Sequence, residues 1–383
     1  MNSSQYVVIG AGLAGASTAW QLAAHGHEVT ILERSQPANQ WGSSHGSARI
    51  FRYAYPDPFY VHLVSEAKKG WDEIERLTGR TVLKTSGALD FGLNHNPAEL
   101  AGVLTAEGVP NDLLSRDEAR SRWPQFAFDS EVLWHSSAAV IDAEGAVMAM
   151  LELATFHGAR LEREWEVTGV TRTVNGYRLT SVIGQTMDAE HIVVSAGAWL
   201  PTLLKVLPLS SSFRERMPRV SVLQEQAFHF PYRDAFVDPG RVDRYSWPAF
   251  IHQTDWIHTY GLPGGRDAGF AGQKVAQFNG GKSIGSAEHQ DGVVDSANRQ
   301  RMIDYVERHI PGLVPEPYAE TTCLFTNTPT EDFFIDSEEN ITVLSPCSGH
   351  GAKFAPEIGR MTTDFVAGSG DIDDRFRLGA AQP

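Results

Sequence analysis

The chain has 383 residues, of which 42% are hydrophobic, with 35 Gly, 20 Pro and two cysteines. That length exceeds one typical core and suits two domains of a turn-rich α/β or α+β protein. A net charge of -15 argues against nucleic acid or an anionic membrane as partner, so a cation placed inside a site is informative here.

Met1 to Gln5 lead straight into a strand, so no secretory leader is expected. No apolar run reaches the roughly 18 residues of a membrane span. Two cysteines far apart in the chain exclude a disulfide framework and predict a reducing, cytoplasmic setting. The histidines show no ligand-like spacing, and no metal site is expected.

Tyr6 to Ile9 is a short apolar run, read as a buried parallel strand. Gly10-Ala11-Gly12-Leu13-Ala14-Gly15 follows, then a helix over Ala16 to Ala24 closed by Gly26. His27 to Leu32 is a second strand ending at Glu33. Gly10 permits the tight turn, Gly12 lets backbone approach a pyrophosphate, and Gly15 lets the helix pack on the strand. The helix N-terminus then faces phosphates. Glu33 can accept from a ribose hydroxyl and repels a 2′-phosphate, which disfavours NADP. Arg34 beside it is a further candidate cofactor contact. These features predict a dinucleotide but do not separate FAD from NAD.

Gly87 to about Ala138 carries a short strand at Gly87-Ala88-Leu89-Asp90-Phe91-Gly92 and a helix near Asp117 to Arg122, where Ser115 and Glu118 have capping-box spacing. His191 to Ala198 is an apolar strand running into a small-residue turn that ends at Trp199. Val220 to about Tyr318 is rich in aromatics, Gly and Pro, with helical period only over Ser296 to Ile310, which Pro311-Gly312 ends. Asn340 to Leu344 is another strand, followed by Ser348-Gly349-His350-Gly351 and a helix over Pro356 to Val366. The tail from Gly368 is expected to fray. A nucleotide fold revisited at the middle and end of the chain suits a long cofactor with several contacts, which favours FAD. No second GxGxxG marks a nicotinamide domain.

The domain division read from this pattern is 1–86, 139–219 and 319–383 for the nucleotide domain, with 87–138 and 220–318 forming a largely antiparallel cap. Taken alone, Cys323 reads as an inert buried thiol, the commonest fate of a lone cysteine.

Three segments carry a resemblance over essentially the whole chain. They are Gly42-Ser43-Ser44-His45-Gly46-Ser47-Ala48-Arg49-Ile50-Phe51-Arg52-Tyr53-Ala54-Tyr55, the run from Cys323 to Asp336, and Ser348-Gly349-His350-Gly351-Ala352-Lys353-Phe354. Trp199, in its Ala196-Gly197-Ala198 setting, adds to them. In these the chain resembles the monomeric sarcosine oxidase and N-methyltryptophan oxidase family. The resemblance implies a glutathione-reductase-like FAD domain interleaved with an antiparallel substrate domain, in a monomer. It implies that Cys323 carries FAD through an 8α-S-cysteinyl bond, with Cys347 a bystander. His45 and Arg49 match residues close to the flavin ring. Ser43, Ala196, Gly197, Trp199, Gly349, His350 and Gly351 fall among the matching cofactor contacts.

Arg52 and Lys353 match the pair that holds the substrate carboxylate, a role suited to a planar guanidinium and a point-charge ammonium. Lys274 matches the lysine that activates dioxygen. Without the resemblance it reads as a strand lysine turned to water. Tyr260 and Ile251 match pocket positions. Several positions depart from the family: Phe278 replaces a pocket histidine, Ala352 replaces a phenylalanine, and Ser44, Ser47 and Ala48 replace a histidine, an aspartate and a threonine. A more apolar pocket suits a bulkier N-alkyl or cyclic secondary amino acid better than sarcosine.

The implied reaction passes a hydride equivalent from the carbon next to nitrogen to flavin N5. The imine hydrolyses, and dioxygen is reduced to hydrogen peroxide. Three alternatives stay open: a flavin dehydrogenase with a protein electron acceptor, an oxidase of primary or D-amino acids, and a flavin-bearing binding protein without turnover.

Overall fold

The computed structural model describes residues 3–236 and 247–379. Met1 and Asn2 of the expected leaderless start, part of the 220–318 block and the last four residues lie outside that range. Two large sheets organise the chain.

The first has eight strands. Ser3–Ile9 lies at its centre, parallel to Val29–Leu32 on one side and to Thr186–Val194 on the other. Arg160–Glu162 extends it beyond the former, and Ile341–Ser345 beyond the latter, all parallel. Central strands buried on both faces must be apolar throughout, which is why Tyr6-Val7-Val8-Ile9 does not alternate. Helices Leu13–Ala24, Ala143–Phe156 and Ala355–Val366 cover one face.

Helix Leu13–Ala24 begins three residues earlier than its period suggested. Gly12 holds extended φ and ψ as the N-cap, so the end of the glycine loop is already the first helical turn. Gly359 lets Ala355–Val366 cross it closely, since a Cβ there would stand 2.1 Å from Ser17 Oγ.

The second sheet has nine strands and is antiparallel apart from the parallel pairing of Ala88–Phe91 with Ala249–Gln253. Its long central element, Ser221–Pro231, pairs with Gly272–Gln277 and Lys282–Ile284 on one side. On the other it pairs over nine register positions with Ala319–Asn327. This corrects the expected division of the chain. The strand that carries Cys323 belongs to the second sheet, and the nucleotide domain resumes only at Phe334–Glu338, which pairs with Ile341–Ser345. The chain has to leave one sheet for the other between Asn327 and Phe334.

The tail does not fray through Gly379. Asp373 caps a short 3₁₀ turn, and Phe376 and Leu378 are buried against the nucleotide domain, so apolar burial pins it. Among the described residues no helix is long and apolar enough to cross a membrane, and no cluster of three or more His, Cys, Asp or Glu is placed to hold a metal.

Candidate active site

The glycine loop is built on close backbone approach. Gly10 has φ +101°, and a Cβ on it would lie 2.6 Å from the Ser195 carbonyl oxygen. On Gly15 a Cβ would lie 1.9 Å from the Gly10 carbonyl oxygen and 2.4 Å from Ser195 Oγ. Gly15 accordingly stays off the cavity wall and acts in packing. Glu33 braces the loop from the end of the next strand: Ala11 N donates to its Oε2 at 3.0 Å and Ser35 N to its Oε1 at 3.0 Å. Burial pushes the Glu33 carboxyl up, and these amides and Arg34 pull against that. Leu13 N donates to Ser44 Oγ at 3.0 Å, which ties the loop to the segment from Gly42 to Tyr55. The guanidinium of Arg34 stacks 4.8 Å above Trp199 and lies 3.4 Å from Glu166.

One cavity of about 870 Å³ runs from this loop to the second sheet. Gly10, Gly12, Glu33, Arg34 and Ser43 line it, as do Ala196, Gly197 and Trp199. So do Arg49, Arg52, Lys274, Cys323 and Tyr260, with Ile251 and Phe278. Gly349, His350, Gly351 and Lys353 line it as well.

The sheet explains how residues far apart in sequence meet. Register places Asp90, Ile251, Tyr260 and Ala276 in one row across four strands, all on one face. Lys274 lies two residues from Ala276 on that face and opposite His229. Glu225, four residues from His229, lies opposite Cys323. This face roofs the cavity.

The cations are held mainly by carbonyls and hydroxyls. Arg49 donates to the Ala48 carbonyl at 2.9 Å and the Ser43 carbonyl at 3.0 Å. Among the described residues, buried Lys274 reaches the Ala48 carbonyl alone, at 3.4 Å. Burial first, then Arg49, bring its amine down to about 8. Arg52 donates to the Ala54 carbonyl, stacks 4.9 Å over the Tyr55 ring and stands 3.8 Å from Asp90. Fully buried Asp90 accepts from His95 at 2.8 Å and His135 at 3.1 Å, which hold its carboxyl far below the usual range despite burial. Lys353 donates to the Tyr55 hydroxyl at 2.9 Å and the His350 carbonyl at 2.7 Å. Burial first, then Arg52, drive it well below an ordinary lysine.

Cys323 lines the cavity with its thiol pushed up by burial, and Lys274 and Arg49 oppose the shift. Cys347 also lines the cavity and is likewise raised by burial. Phe278 and Phe325, with ring centroids 5.9 Å apart, both pack on Gly349, where a Cβ would stand 2.8 Å from each ring.

His45 is placed differently from the expectation. It is not among the residues that line the cavity, although Arg49 and Lys274 lie close enough to act on it. Its Nε2 is buried without a partner, and burial with Arg49 and Lys274 nearby lowers it to about 3, so it is neutral. Asp90, Tyr55 and His258 were not assigned roles from sequence, although two of the three were legible. Asp90 is an acid inside the apolar run Ala88-Leu89-Asp90-Phe91, and His258 shares the face of Tyr260 by strand alternation.

The model of the family described as FAD dependent oxidoreductase matches residues 5–365, and the chain belongs to that family. It is 32% identical over 371 residues to a monomeric sarcosine oxidase of Streptomyces avermitilis, covering 94% of this chain and 92% of that one. It is 28% identical over 375 residues to an N-methyl-L-tryptophan oxidase of Yersinia pestis, covering 94% of each. Among solved structures, the open form of NikD, described as an unusual amino acid oxidase essential for nikkomycin biosynthesis, superposes with TM-score 0.85 at 23% identity, over 100% of this chain and 99% of that one. Within the family, the protein is an FAD-dependent oxidoreductase acting on CH–NH donors, of the sarcosine oxidase type.

The residues fit FAD. The cradle at Gly10 and Gly15 has no room for a Cβ, Gly12 has little, and the cavity continues from it to Cys323 and Lys353.

Replacing Glu33 by Ala removes the acceptor of two backbone amides at the loop. A loss of about 1–3 kcal/mol is expected, roughly 5- to 150-fold weaker FAD retention. Titration of FAD into deflavinated Cys323→Ala protein, with and without the Glu33 change, checks it, and unchanged affinity would refute the bracing role.

Proposed function

We propose that this protein is an oxidase of a secondary amino acid with a bulky N-alkyl or cyclic frame. The observation that carries the reading is that one cavity takes in both the nucleotide loop and the pair Arg52 and Lys353. In an acidic chain a half-buried guanidinium beside a buried amine calls for an anion, and a carboxylate fits the guanidinium fork. Ile251, Tyr260, Phe278 and Phe325 give the apolar wall that suits a bulkier substrate than sarcosine.

The flavin, when bound, accepts the electron pair from the carbon next to nitrogen and returns it to dioxygen, giving an imine and hydrogen peroxide. Arg52 and Lys353 grip the carboxylate and fix which carbon faces the ring. Asp90, with His95 and His135, holds Arg52 in place. Arg49 and Lys274 keep positive charge where the cofactor becomes anionic. Lys274 also offsets the negative charge that dioxygen gains on taking its first electron. Tyr260 and Phe278 exclude water beside the reacting carbon. Cys323 on the roof is the covalent anchor in this reading, Cys347 is a bystander, and the protein acts as a monomer.

Anaerobic titration of the visible spectrum with sarcosine, N-methyltryptophan, pipecolate, proline and primary amino acids tests the reading. A cyclic or large N-alkyl member is expected to bleach the yellow colour, and air to restore it quickly. Bleaching by primary amino acids alone would overturn the substrate class, and slow return of colour in air would make the protein a dehydrogenase.

Acid precipitation of native protein is expected to leave the yellow colour in the pellet, whereas Cys323→Ala releases it to the supernatant. Release from native protein would rule out the thioether.

Lys274 is charged below a pH of about 8 and neutral above it, so reoxidation by dioxygen should slow as pH rises through that value. Lys274→Met should be slower by about 100-fold and insensitive to pH across the same range. Stopped-flow reoxidation at several pH values decides this.

A further inference from the structure

Hydride loss from the carbon beside nitrogen needs the nitrogen lone pair, yet a secondary amino acid in water carries an ammonium. The site therefore needs a proton acceptor matched to an alkylammonium. His258 is held near 4 by burial and nearby cations, and His350 near 3. Both are too weak, and His350 has both ring nitrogens engaged.

Lys353 has the required arrangement. It is 4% exposed, and among the described residues no carboxylate lies within 4.0 Å of its nitrogen. Its hydrogen bonds have a fixed direction. His350 Nε2 must donate to the Glu331 carbonyl at 3.0 Å, so in a neutral ring Nδ1 is an acceptor. The Tyr55 hydroxyl therefore donates to Nδ1 at 2.9 Å and accepts from Lys353. Lys353 also donates to the His350 carbonyl. A neutral amine has two N–H groups, and both are used. Its lone pair occupies the remaining tetrahedral position, where an ammonium would hold a third N–H.

The groups around it favour neutrality. Arg52 follows the strand Arg49–Phe51, and its charge is balanced by Asp90. Tyr60, from the helix Pro58–Thr78, donates to Asp332 at 2.5 Å. On the following helix, Glu357 is paired with Arg360 at 2.6 Å. Glu331 lines the cavity, with its carboxyl raised by burial.

We propose that Lys353 is the acceptor of the substrate's ammonium proton. The amino acid enters as a zwitterion and the N–H bond of its ammonium breaks. The proton joins the lone pair of Lys353 Nζ, and the lysine ammonium so formed pairs with the carboxylate that Arg52 also holds. Docking the carboxylate raises the proton affinity of Lys353 at the moment it is needed, because an opposite charge favours the protonated form. The substrate is left with a neutral amine and no net proton crosses the cavity wall. This inference rests on the proposed docking of a carboxylate at Arg52 and Lys353.

The test uses native holoenzyme in weakly buffered solution with a pH-indicator dye. Cyclohexanecarboxylate, which has the anion but no ammonium, is expected to draw about one proton per site from solvent on binding near pH 8. A zwitterionic substrate, mixed anaerobically, is expected to draw none. In Lys353→Arg the carboxylate binds without proton uptake, since arginine stays charged. Flavin bleaching at saturating substrate then rises about tenfold per pH unit, because the substrate must lose its proton to water. Binding of the carboxylate to native protein without proton uptake overturns the inference by itself, whether or not the variant folds. Failure of any carboxylate to bind overturns the substrate reading beneath it as well.

Discussion

Three stretches of backbone converge at Gly10, Gly15 and Ser195 more closely than any side chain permits, and the rest of the site follows from that contact. It sets the first turn of helix Leu13–Ala24 against the ends of two parallel strands, and so aims the helix N-terminus into the cavity. Glu33 and Ser44 then take up amides at the loop, which joins the next strand and the segment from Gly42 to Tyr55 to the same point. That segment delivers Arg49 and Arg52 to the cavity. A Cβ at Gly15 would push the helix off the strand and move the cations with it.

The second organising constraint is electrostatic. The chain is strongly acidic, yet Arg49, Lys274 and Lys353 enter the cavity with no carboxylate at ion-pair distance among the described residues. Carbonyl and hydroxyl partners satisfy their N–H groups without cancelling their charge. Burial then lowers the affinity of both lysines for their protons. Arg52 differs because Asp90 balances it. The cavity thus combines two guanidiniums, of which Arg52 is compensated by Asp90, with two lysines whose proton affinity burial has lowered. Such a site has the charge to attract an anion, which is the basis of the proposals above.

The two sheets meet through crossings rather than a linker. Ser43 Oγ donates to the Leu324 carbonyl at 2.8 Å, next to Cys323. Trp71 Nε1 donates to the Lys353 carbonyl at 2.8 Å, so a helix of the nucleotide domain holds the turn that presents Lys353. The Ser43 bond ties the segment beside the nucleotide loop to the strand of Cys323, and the Trp71 bond anchors the turn of Lys353 on the nucleotide side.

The sequence by itself determined the nucleotide loop, because strand, glycines, helix, strand and acid are local and their spacing is set by backbone sterics. Through the family resemblance it also pointed to Arg49, Arg52, Lys274, Cys323 and Lys353, which all line the one cavity. The tertiary structure alone decided that the strand of Cys323 pairs in the antiparallel sheet, since pairing over nine register positions with Ser221–Pro231 is a long-range choice that local pattern does not encode. It left His45 Nε2 buried without a hydrogen-bond partner among the described residues. It also supplied Asp90 to Arg52 and Tyr55 to Lys353, contacts made across strands and turns. Protonation at the site depends on those contacts and on burial, and neither can be read from residue identity.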